Sequence, residues 1–360
     1  MRLIPIRSCV PGMRLGKPIF NEEGVVLLNR HAELTQNLIG RLHHLGIDYV
    51  YIEDPLTEDI QVEDPISEET RRRALSELRT QFRSFMEQGS RPKLSRPVLG
   101  KTFGSVMKMI IDDLSEHQET MIMLMNMNVW SQYLYQHSLN VSIYSTMLGM
   151  ASGYSRDELM TLGIGALLHD IGKTQIDLAL LDKPGQLTEE EFAEIKRHPE
   201  LGFKLLKDEP NIPLIAAHCA FQHHERLDGS GYPRGIKGDD IHEYAKWIAI
   251  ADSYDAMTSH RPYRRAMLPH QAMEALFSGV GHWYELSKVT VFRDHVALYP
   301  LGMTVTLNTG ERGVVTAIDP RAPQRPVVRI VETADGEKLS SPYEIDLAEK
   351  LTVFIVEVDQ

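Results

Sequence analysis

Residues 158–173 read ELMTLGIGALLHDIGK, an apolar run followed at once by a histidine and an aspartate. Apolar residues three and four positions apart predict a helix over residues 158–168, with His169 and Asp170 in or beside it. Neighbouring residues on a helix point about 100° apart, so these two side chains can flank one cation or span two. The same apolar spacing recurs through residues 106–124, 129–148, 212–221 and 247–257. The sequence therefore predicts one all-α domain over residues 98–298.

The sequence on either side of this domain has a different pattern. Residues 1–66 alternate short apolar runs with glycine around one helical stretch, which predicts a small α+β module. Residues 299–360 contain β-branched runs separated by turn residues, which predicts a small β module. Residues 67–97 form a linker that opens with a charged helix, typical of a solvated strut or a dimer seam, and ends in the loop GSRPKLSRP. The predicted fold class is mainly α, an all-helical core flanked by these two modules.

Composition excludes several classes of protein. The chain has 360 residues and a formal net charge of −12, which argues against binding duplex nucleic acid because a phosphate backbone needs basic surface. No window approaches eighteen apolar residues in a row, and the first residues are broken by arginine, proline and glycine. We therefore expect no membrane span and a cytoplasmic protein. Cys9 and Cys219 lie far apart and predict neither a disulfide framework nor a thiolate metal site.

Histidines and aspartates recur in apolar surroundings within the predicted helical domain. His198 lies in KRHPELG, His223 and His224 lie in FQHHERLDGSGYP, and Asp252 lies in IAIADSYDAMTS. A lone histidine on an apolar face is more often a hydrogen-bonded core residue, but several in one domain favour a metal site. Imidazole and carboxylate ligands without sulfur suit iron, manganese, nickel or zinc. Because a carboxylate has two oxygens, Asp170 is a candidate bridge between a pair of metal ions.

The order of these residues resembles the metal site of HD-domain phosphohydrolases. That resemblance assigns one cation to His137, His169, Asp170 and Asp252. The remaining histidines, with the aspartate shared, would complete a second site formed by Asp170, His198, His223 and His224. Pro199 supports a special position for His198, because the residue before a proline is pushed out of the helical region and a helix should begin or kink there.

A more specific resemblance comes from four motifs in sequence order: HDIGK, HPxxG, HHExxDGxGYP and ADSYDAMTSHRPYR. Over residues 119–280 the chain resembles the HD-GYP family, bacterial phosphodiesterases that act on cyclic di-GMP. The resemblance implies hydrolysis to pGpG, with further cleavage to GMP left open, and Asp170 and Lys173 as catalytic residues. The substrate contacts that it implies are Lys173, Tyr232, Asp255, Arg261 and Arg264. Lysine supplies a point charge and arginine a fork for phosphate oxygens, so the two residue types fit this role.

The sequence departs from the family at one position and leaves several alternatives open. Some members carry a glutamate four residues before the first histidine, which supports a third metal, and here that position is Tyr133. We therefore predict two divalent metal ions, iron or manganese by preference and nickel or zinc as alternatives. Hydrolysis of another cyclic dinucleotide, or binding of cyclic di-GMP without turnover in signalling, are the competing functions. A protein partner at the GYP loop or the terminal modules, and a homodimer, also stay open.

Overall fold

The structure is a computed structural model that describes residues 1–20, 26–45, 47, 49–62, 64–88, 98–116, 133–181, 183, 185–259 and 266–358. The chain divides into two compact units. The helical unit comprises residues 66–118 and 132–293. The mixed unit comprises the described residues of 1–65 and 294–360.

The described residues form the following helices and strands, each set given in chain order. The helices are α1 (Gln36–His44), α2 (Glu68–Gln88), α3 (Val98–Glu116), α4 (Tyr133–Ala151), α5 (Arg156–Leu168), α6 (Leu178–Leu181), α7 (Glu189–Ile195), α8 (His198–Leu206), α9 (Leu214–Gln222), α10 (Glu243–Thr258), α11 (Pro269–Ser278) and α12 (Leu286–His295). The strands are β1 (Arg2–Pro5), β2 (Ile19–Phe20), β3 (Val26–Leu28), β4 (Tyr49–Ile52), β5 (Thr304–Leu307), β6 (Arg312–Ala317), β7 (Val327–Glu332), β8 (Lys338–Asp346) and β9 (Ile355–Val358). The predicted fold class is confirmed.

The core of the helical unit is built around α4. Residues 137–149 of this helix are buried on every side, although several of them are polar, which makes α4 a central helix of the unit. Helix α4 packs against α5 and α10, and α9 packs against α5 and α8. Helix α5 starts with a capping box between Ser155 and Glu158, which satisfies free backbone donors of its first turn. The arrangement brings the ends of several helices together at the middle of the unit.

Helix α2 belongs to this core. Its apolar face buries Ala74, Leu78 and Phe82, each 0% exposed. The helix packs against α3, α4 and the 3-10 helix Ile171–Gln175, and Gln175 donates a hydrogen bond to the carbonyl of Phe85 at 3.2 Å. The interpretation of this segment as a solvated strut is wrong, because its charged residues line only one face of an amphipathic helix.

The mixed unit joins both ends of the chain. Strands β1 and β4 pair antiparallel, β2 and β3 pair antiparallel, and the C-terminal strands form an antiparallel sheet in the order β8-β7-β6-β5-β9. The backbone N–H of Leu3 donates to the carbonyl of Gly302 at 2.7 Å, and Tyr51 donates its hydroxyl to the carbonyl of Leu301 at 3.2 Å. The sequence predicts two separate terminal modules, whereas in the structure both belong to one compact unit.

The longest helix among the described residues is α2 (Glu68–Gln88). None of the described helices has both the length and the hydropathy that crossing a bilayer requires.

Candidate metal centre

The predicted metal ligands come from five different helices or helix ends. They are His137 on α4, His169 and Asp170 after α5, His198 at the start of α8, His223 and His224 after α9, and Asp252 on α10. All except His224 are buried, and His224 is partly buried. The structure brings these side chains into one connected cluster with no sulfur ligand among them.

The first group of ligand atoms surrounds one oxygen of Asp170. Its Oδ2 lies 3.6 Å from His137 Nε2 and 3.4 Å from His169 Nε2. Ligand atoms of these three residues lie within 4.8 Å of one another, a spacing that suits a shared cation. The Nε2 atom of His169 is buried and has no hydrogen-bond partner among the described residues. An orphaned buried imidazole nitrogen is costly unless a ligand satisfies it, so this group fits a metal ion.

The second group surrounds the other oxygen of the same aspartate. Asp170 Oδ1 lies 3.3 Å from His198 Nε2 and 3.8 Å from His223 Nε2, and these two nitrogens are 3.2 Å apart. With His224, ligand atoms of this group also lie within 4.8 Å of one another. Each carboxylate oxygen of Asp170 therefore faces a different group, which is the geometry that a bridging ligand requires.

Asp252 lies between the two groups. Its Oδ1 is 3.1 Å from His137 Nε2, and its Oδ2 is 3.7 Å from His224 Nδ1. The sequence placed Asp252 with the first group, and the structure puts one of its oxygens beside each group.

Backbone carbonyls orient three of the imidazole rings. The Nδ1 atoms of His169, His198 and His223 lie 2.7, 2.8 and 3.0 Å from the carbonyl oxygens three residues earlier in the chain. A carbonyl only accepts, so each Nδ1 carries the proton and donates it. The lone pair of each neutral ring is then on Nε2, the nitrogen that faces Asp170.

The local backbone differs from the prediction at the histidine-aspartate pair. Helix α5 ends at Leu168, and Asp170 (φ −97°, ψ 7°) precedes the 3-10 helix Ile171–Gln175. The assumption that His169 and Asp170 point 100° apart on one helix is therefore wrong, because the chain leaves the α-helix at this pair.

A close approach of two backbones places His198 beside Asp170. A Cβ atom on Gly172 would lie 1.9 Å from the carbonyl oxygen of His198 and 2.5 Å from the backbone nitrogen of Gly202. Only glycine fits at position 172, which gives a physical reason for the glycine of HDIGK. Helix α8 begins at His198 with Pro199 in its first turn, and the predicted start at this histidine is confirmed.

Burial and charge set the protonation of the cluster. Burial would raise the pKa of Asp170, but the positive charge of Lys173 holds it well below its usual range. Lys173 Nζ lies 2.5 Å from Asp170 Oδ2. Burial lowers the pKa of His198 to about 4 and lowers the pKa of His223 as well. Near neutral pH these residues are a carboxylate and neutral imidazoles, the forms that bind metal ions.

His137 differs from the other histidines. Burial would lower its pKa, but hydrogen bonds with Asp252 and Asp255 outweigh burial and raise the pKa to about 9. Asp255 accepts from His137 Nδ1 at 2.7 Å and is only 1% exposed. The resemblance implied that Asp255 binds substrate, and in the structure its carboxylate faces His137. Arg261 and Arg264, the other implied substrate contacts on this stretch, lie outside the described residues.

The GYP loop packs over the second group. The ring of Tyr232 stacks on His224 with centroids 4.6 Å apart, and Tyr232 N donates to the carbonyl of His224 at 3.1 Å. A Cβ atom on Gly231 would lie 2.4 Å from the backbone nitrogen of Arg226, so glycine is required where the loop folds back. Tyr232 is partly buried and forms part of the wall beside His224.

Sequence reasoning missed the role of Glu225. This residue is 2% exposed, and its carboxylate accepts the backbone N–H of Arg234 at 2.9 Å and that of Ile236 at 3.2 Å. The glutamate of HHE therefore holds the GYP loop by its backbone and does not point to a metal group. The sequence did contain a signal for a separate role: Glu225 directly follows the predicted ligands His223 and His224 but is not itself needed as a metal ligand.

Comparisons with known proteins fit this geometry. A family model described as HD domain matches residues 108–287, and one described as KOW domain associated with HD domain matches residues 304–360.

Curated relatives cover parts of the chain. The cyclic di-GMP phosphodiesterase PA4108 of Pseudomonas aeruginosa is 32% identical over 62% of this chain and 55% of that protein. The cyclic di-GMP phosphodiesterase response regulator RpfG of Xanthomonas campestris is 41% identical over 37% of this chain and 35% of that protein. The 3'3'-cGAMP-specific phosphodiesterase 3 of Vibrio cholerae is 41% identical over 38% of this chain and 30% of that protein. The match thus spans about half or less of each relative's length.

Proposed function

The chain belongs to the HD domain family, and on that premise we propose that it is a metal-dependent phosphodiesterase that hydrolyses cyclic di-GMP. Two of the relatives described above are named for that activity. One observation supports the proposal most directly: the two oxygens of Asp170 face two separate groups of histidine nitrogens. A dinuclear centre needs a shared ligand of this kind.

The ligand assignment follows the two groups. One divalent ion would be held by His137, His169, Asp170 and Asp252, and the other by Asp170, His198, His223 and His224. Nitrogen and oxygen ligands without thiolate suit first-row divalent ions, with iron or manganese as the first choice and nickel or zinc as alternatives.

The protein side chains prepare the site for a negatively charged phosphodiester. A pair of bound divalent ions supplies positive charge and lowers the pKa of water, which makes a nucleophile at neutral pH. Lys173 keeps 19% of its side chain exposed beside Asp170, so its ammonium group can offset charge that develops on a phosphoryl oxygen. Tyr232 offers the substrate a partly exposed aromatic edge next to His224. Arg261 and Arg264 remain predicted phosphate contacts.

Hydrolysis by purified protein tests the proposal. Protein loaded anaerobically with ferrous or manganous ions should convert cyclic di-GMP to pGpG, and GMP should follow if the linear product is cut again. Asp170→Asn removes the charge of the bridging carboxylate and should abolish turnover. Undiminished hydrolysis by Asp170→Asn would refute the assignment.

A second substrate deserves the same assay, because one relative is named as specific for 3'3'-cGAMP. The metal groups contact the phosphodiester, which all cyclic dinucleotides share, and they do not read the bases. Competition between cyclic di-GMP and 3'3'-cGAMP at equal concentration separates the two substrates. If kcat/KM is higher for 3'3'-cGAMP, that molecule replaces cyclic di-GMP as the proposed substrate. The proposed reaction class is then unchanged.

A further inference from the structure

Asp255 is a buried carboxylate with both oxygens engaged. Its Oδ2 accepts from His137 Nδ1 at 2.7 Å, and its Oδ1 accepts from Asn140 Nδ2 at 2.8 Å. Ser259 Oγ lies 3.3 Å from Oδ2. The residue is 1% exposed, so this carboxylate is reached by protein groups rather than by solvent.

Two neighbouring helices create this arrangement, each through a pair of residues three positions apart. His137 and Asn140 are three residues apart on α4, and Asp252 and Asp255 are three residues apart on α10. Residues three apart lie on one face of a helix, and these two helices pack against each other. The His137 ring therefore lies between two aspartates, with Asp252 at Nε2 (3.1 Å) and Asp255 at Nδ1 (2.7 Å).

We propose that Asp255 is a positioning residue that acts on the metal centre through His137. The inference rests on the proposed metal centre. A carboxylate only accepts hydrogen bonds, so His137 keeps a proton on Nδ1, and Nε2 is the nitrogen that can bind a metal ion beside Asp170. A carboxylate behind a metal-bound histidine also fixes the ring and makes it a stronger ligand. Asn140, which receives a hydrogen bond from Gln136 at 2.7 Å, orients the carboxylate in turn.

The same contacts argue against direct recognition of substrate by Asp255. Its two oxygens are occupied, its surface is closed to solvent, and a carboxylate repels the phosphates of a cyclic dinucleotide. His169, His198 and His223 donate from Nδ1 to backbone carbonyls, whereas His137 donates from Nδ1 to a side chain. The orientation of the His137 ring therefore depends on Asp255, a residue of another helix.

Metal affinity and substrate kinetics together test the role of Asp255. In Asp255→Asn the amide can turn its NH2 toward His137, which would move the ring proton to Nε2 and block metal binding there. We expect the affinity of the full chain for Mn²⁺, measured by competition with a chelator, to fall about 10–100-fold. At saturating Mn²⁺ the KM for cyclic di-GMP should stay close to that of the wild type. Unchanged Mn²⁺ affinity with a KM raised about tenfold or more would overturn the proposal and make Asp255 a substrate contact.

Two further variants keep the test decisive. Ser253→Ala is the matched control: Ser253 lies next to Asp252 on the same helix, but its hydroxyl accepts from Tyr284 at 2.7 Å, so Mn²⁺ affinity should not change. If Asp255→Asn fails to fold by circular dichroism, Asn140→Ala carries the test, because it removes one hydrogen bond from Asp255 and keeps the carboxylate. Asn140→Ala should weaken Mn²⁺ binding less than about tenfold and leave KM unchanged. An Asn140→Ala variant with wild-type Mn²⁺ affinity would contradict the proposal.

These readouts separate the inference from the proposed function. Wild-type protein that binds Mn²⁺ but leaves cyclic di-GMP intact would refute the proposed function alone. The comparison of Mn²⁺ affinity between wild type and Asp255→Asn would then still decide the role of Asp255, because it needs no substrate.

Discussion

The two groups of the candidate centre differ in how one histidine of the first group, His137, is held. In the second group, His198 and His223 donate from Nδ1 to backbone carbonyls three residues earlier, and burial lowers the pKa of both. In the first group, His137 donates to the carboxylate of Asp255 on another helix, and its pKa is raised to about 9. A backbone carbonyl survives any side-chain substitution, whereas a carboxylate does not. The orientation of His198 and His223 should therefore respond to changes in backbone packing, and that of His137 to a single side-chain substitution at Asp255.

The largest effect is expected where backbone packing is broken. In Gly172→Ala the new Cβ would lie 1.9 Å from the carbonyl oxygen of His198, so α8 must move away from Asp170. Overpacking of this kind costs about 1–3 kcal/mol of the free energy of unfolding, occasionally more. We expect the variant to lose the metal of the second group and with it the hydrolysis of cyclic di-GMP. Thermal unfolding and metal content by elemental analysis measure the two losses.

A matched glycine provides the control for this substitution. Gly104 lies in α3, and the nearest heavy atom to a Cβ placed there is 3.9 Å away. Gly104→Ala should bind metal like the wild type. Its unfolding temperature should equal that of the wild type or be slightly higher, because alanine favours a helix by about 1 kcal/mol over glycine. Equal loss of metal in both variants would show that the approach at Gly172 has no special importance.

A smaller effect is expected at the loop that covers the second group. Glu225→Gln leaves one of the backbone donors of Arg234 and Ile236 facing an amide NH2 instead of an oxygen. A buried donor without an acceptor costs about 1–3 kcal/mol. We expect faster proteolysis of residues 226–236 and a higher KM for cyclic di-GMP, because Tyr232 is carried by this loop.

The control for Glu225 lies on the same loop. Asp228 is exposed and accepts the backbone N–H of Ser230 at 2.8 Å, a bond that asparagine can also make. Asp228→Asn should therefore match the wild type in proteolysis and in KM. If Glu225→Gln also matched the wild type, the buried carboxylate would not be what holds the loop.

The smallest effect is expected in the mixed unit, through a salt bridge at the surface. Arg329 donates to Asp59 at 2.6 Å, and its hydrogen bonds lower the pKa of Asp59 to about 2 from 3.8. A lowered pKa stabilises the fold above the unfolded value, so this contribution is lost as pH falls from about 4 toward 2. Because 63% of the Asp59 side chain is exposed, we expect less than about 1 kcal/mol.

Acid unfolding followed by circular dichroism measures this contribution. In Asp59→Asn the free energy of unfolding should depend less on pH between about 4 and 2. Asp319 serves as the control, because its pKa is also lowered to about 2 but by Arg321 two residues away. That local contact can persist in the unfolded chain, so Asp319→Asn should change the pH dependence less. A pH dependence that is identical in wild type and Asp59→Asn would rule out the contribution.

Patterns within short stretches of sequence predicted much of the helical unit. Apolar spacing located α5, α9 and α10, and Pro199 marked the start of α8 at His198. The spacing of Thr188 and Glu191 is that of a capping box, and the structure has this capping box at the start of α7. These features depend on residues within a turn or two of each other, which a sequence displays directly.

Contacts between distant segments could not be predicted in the same way. Nothing in the sequence shows that α10 turns Asp255 toward His137 and Asn140. The packing of α2 in the core depends on a partner face formed by α3 and α4. The hydrogen bond between Leu3 and Gly302 joins residues at opposite ends of the chain.

The metal content of the wild-type chain, purified without chelator and without oxygen, tests the central claim most directly. The two groups around Asp170 predict two divalent ions per chain, falling to one in His223→Ala, which removes a ligand of the second group only. A chain that binds no divalent ion whatever metal is supplied would contradict the dinuclear centre and the phosphodiesterase activity proposed from it.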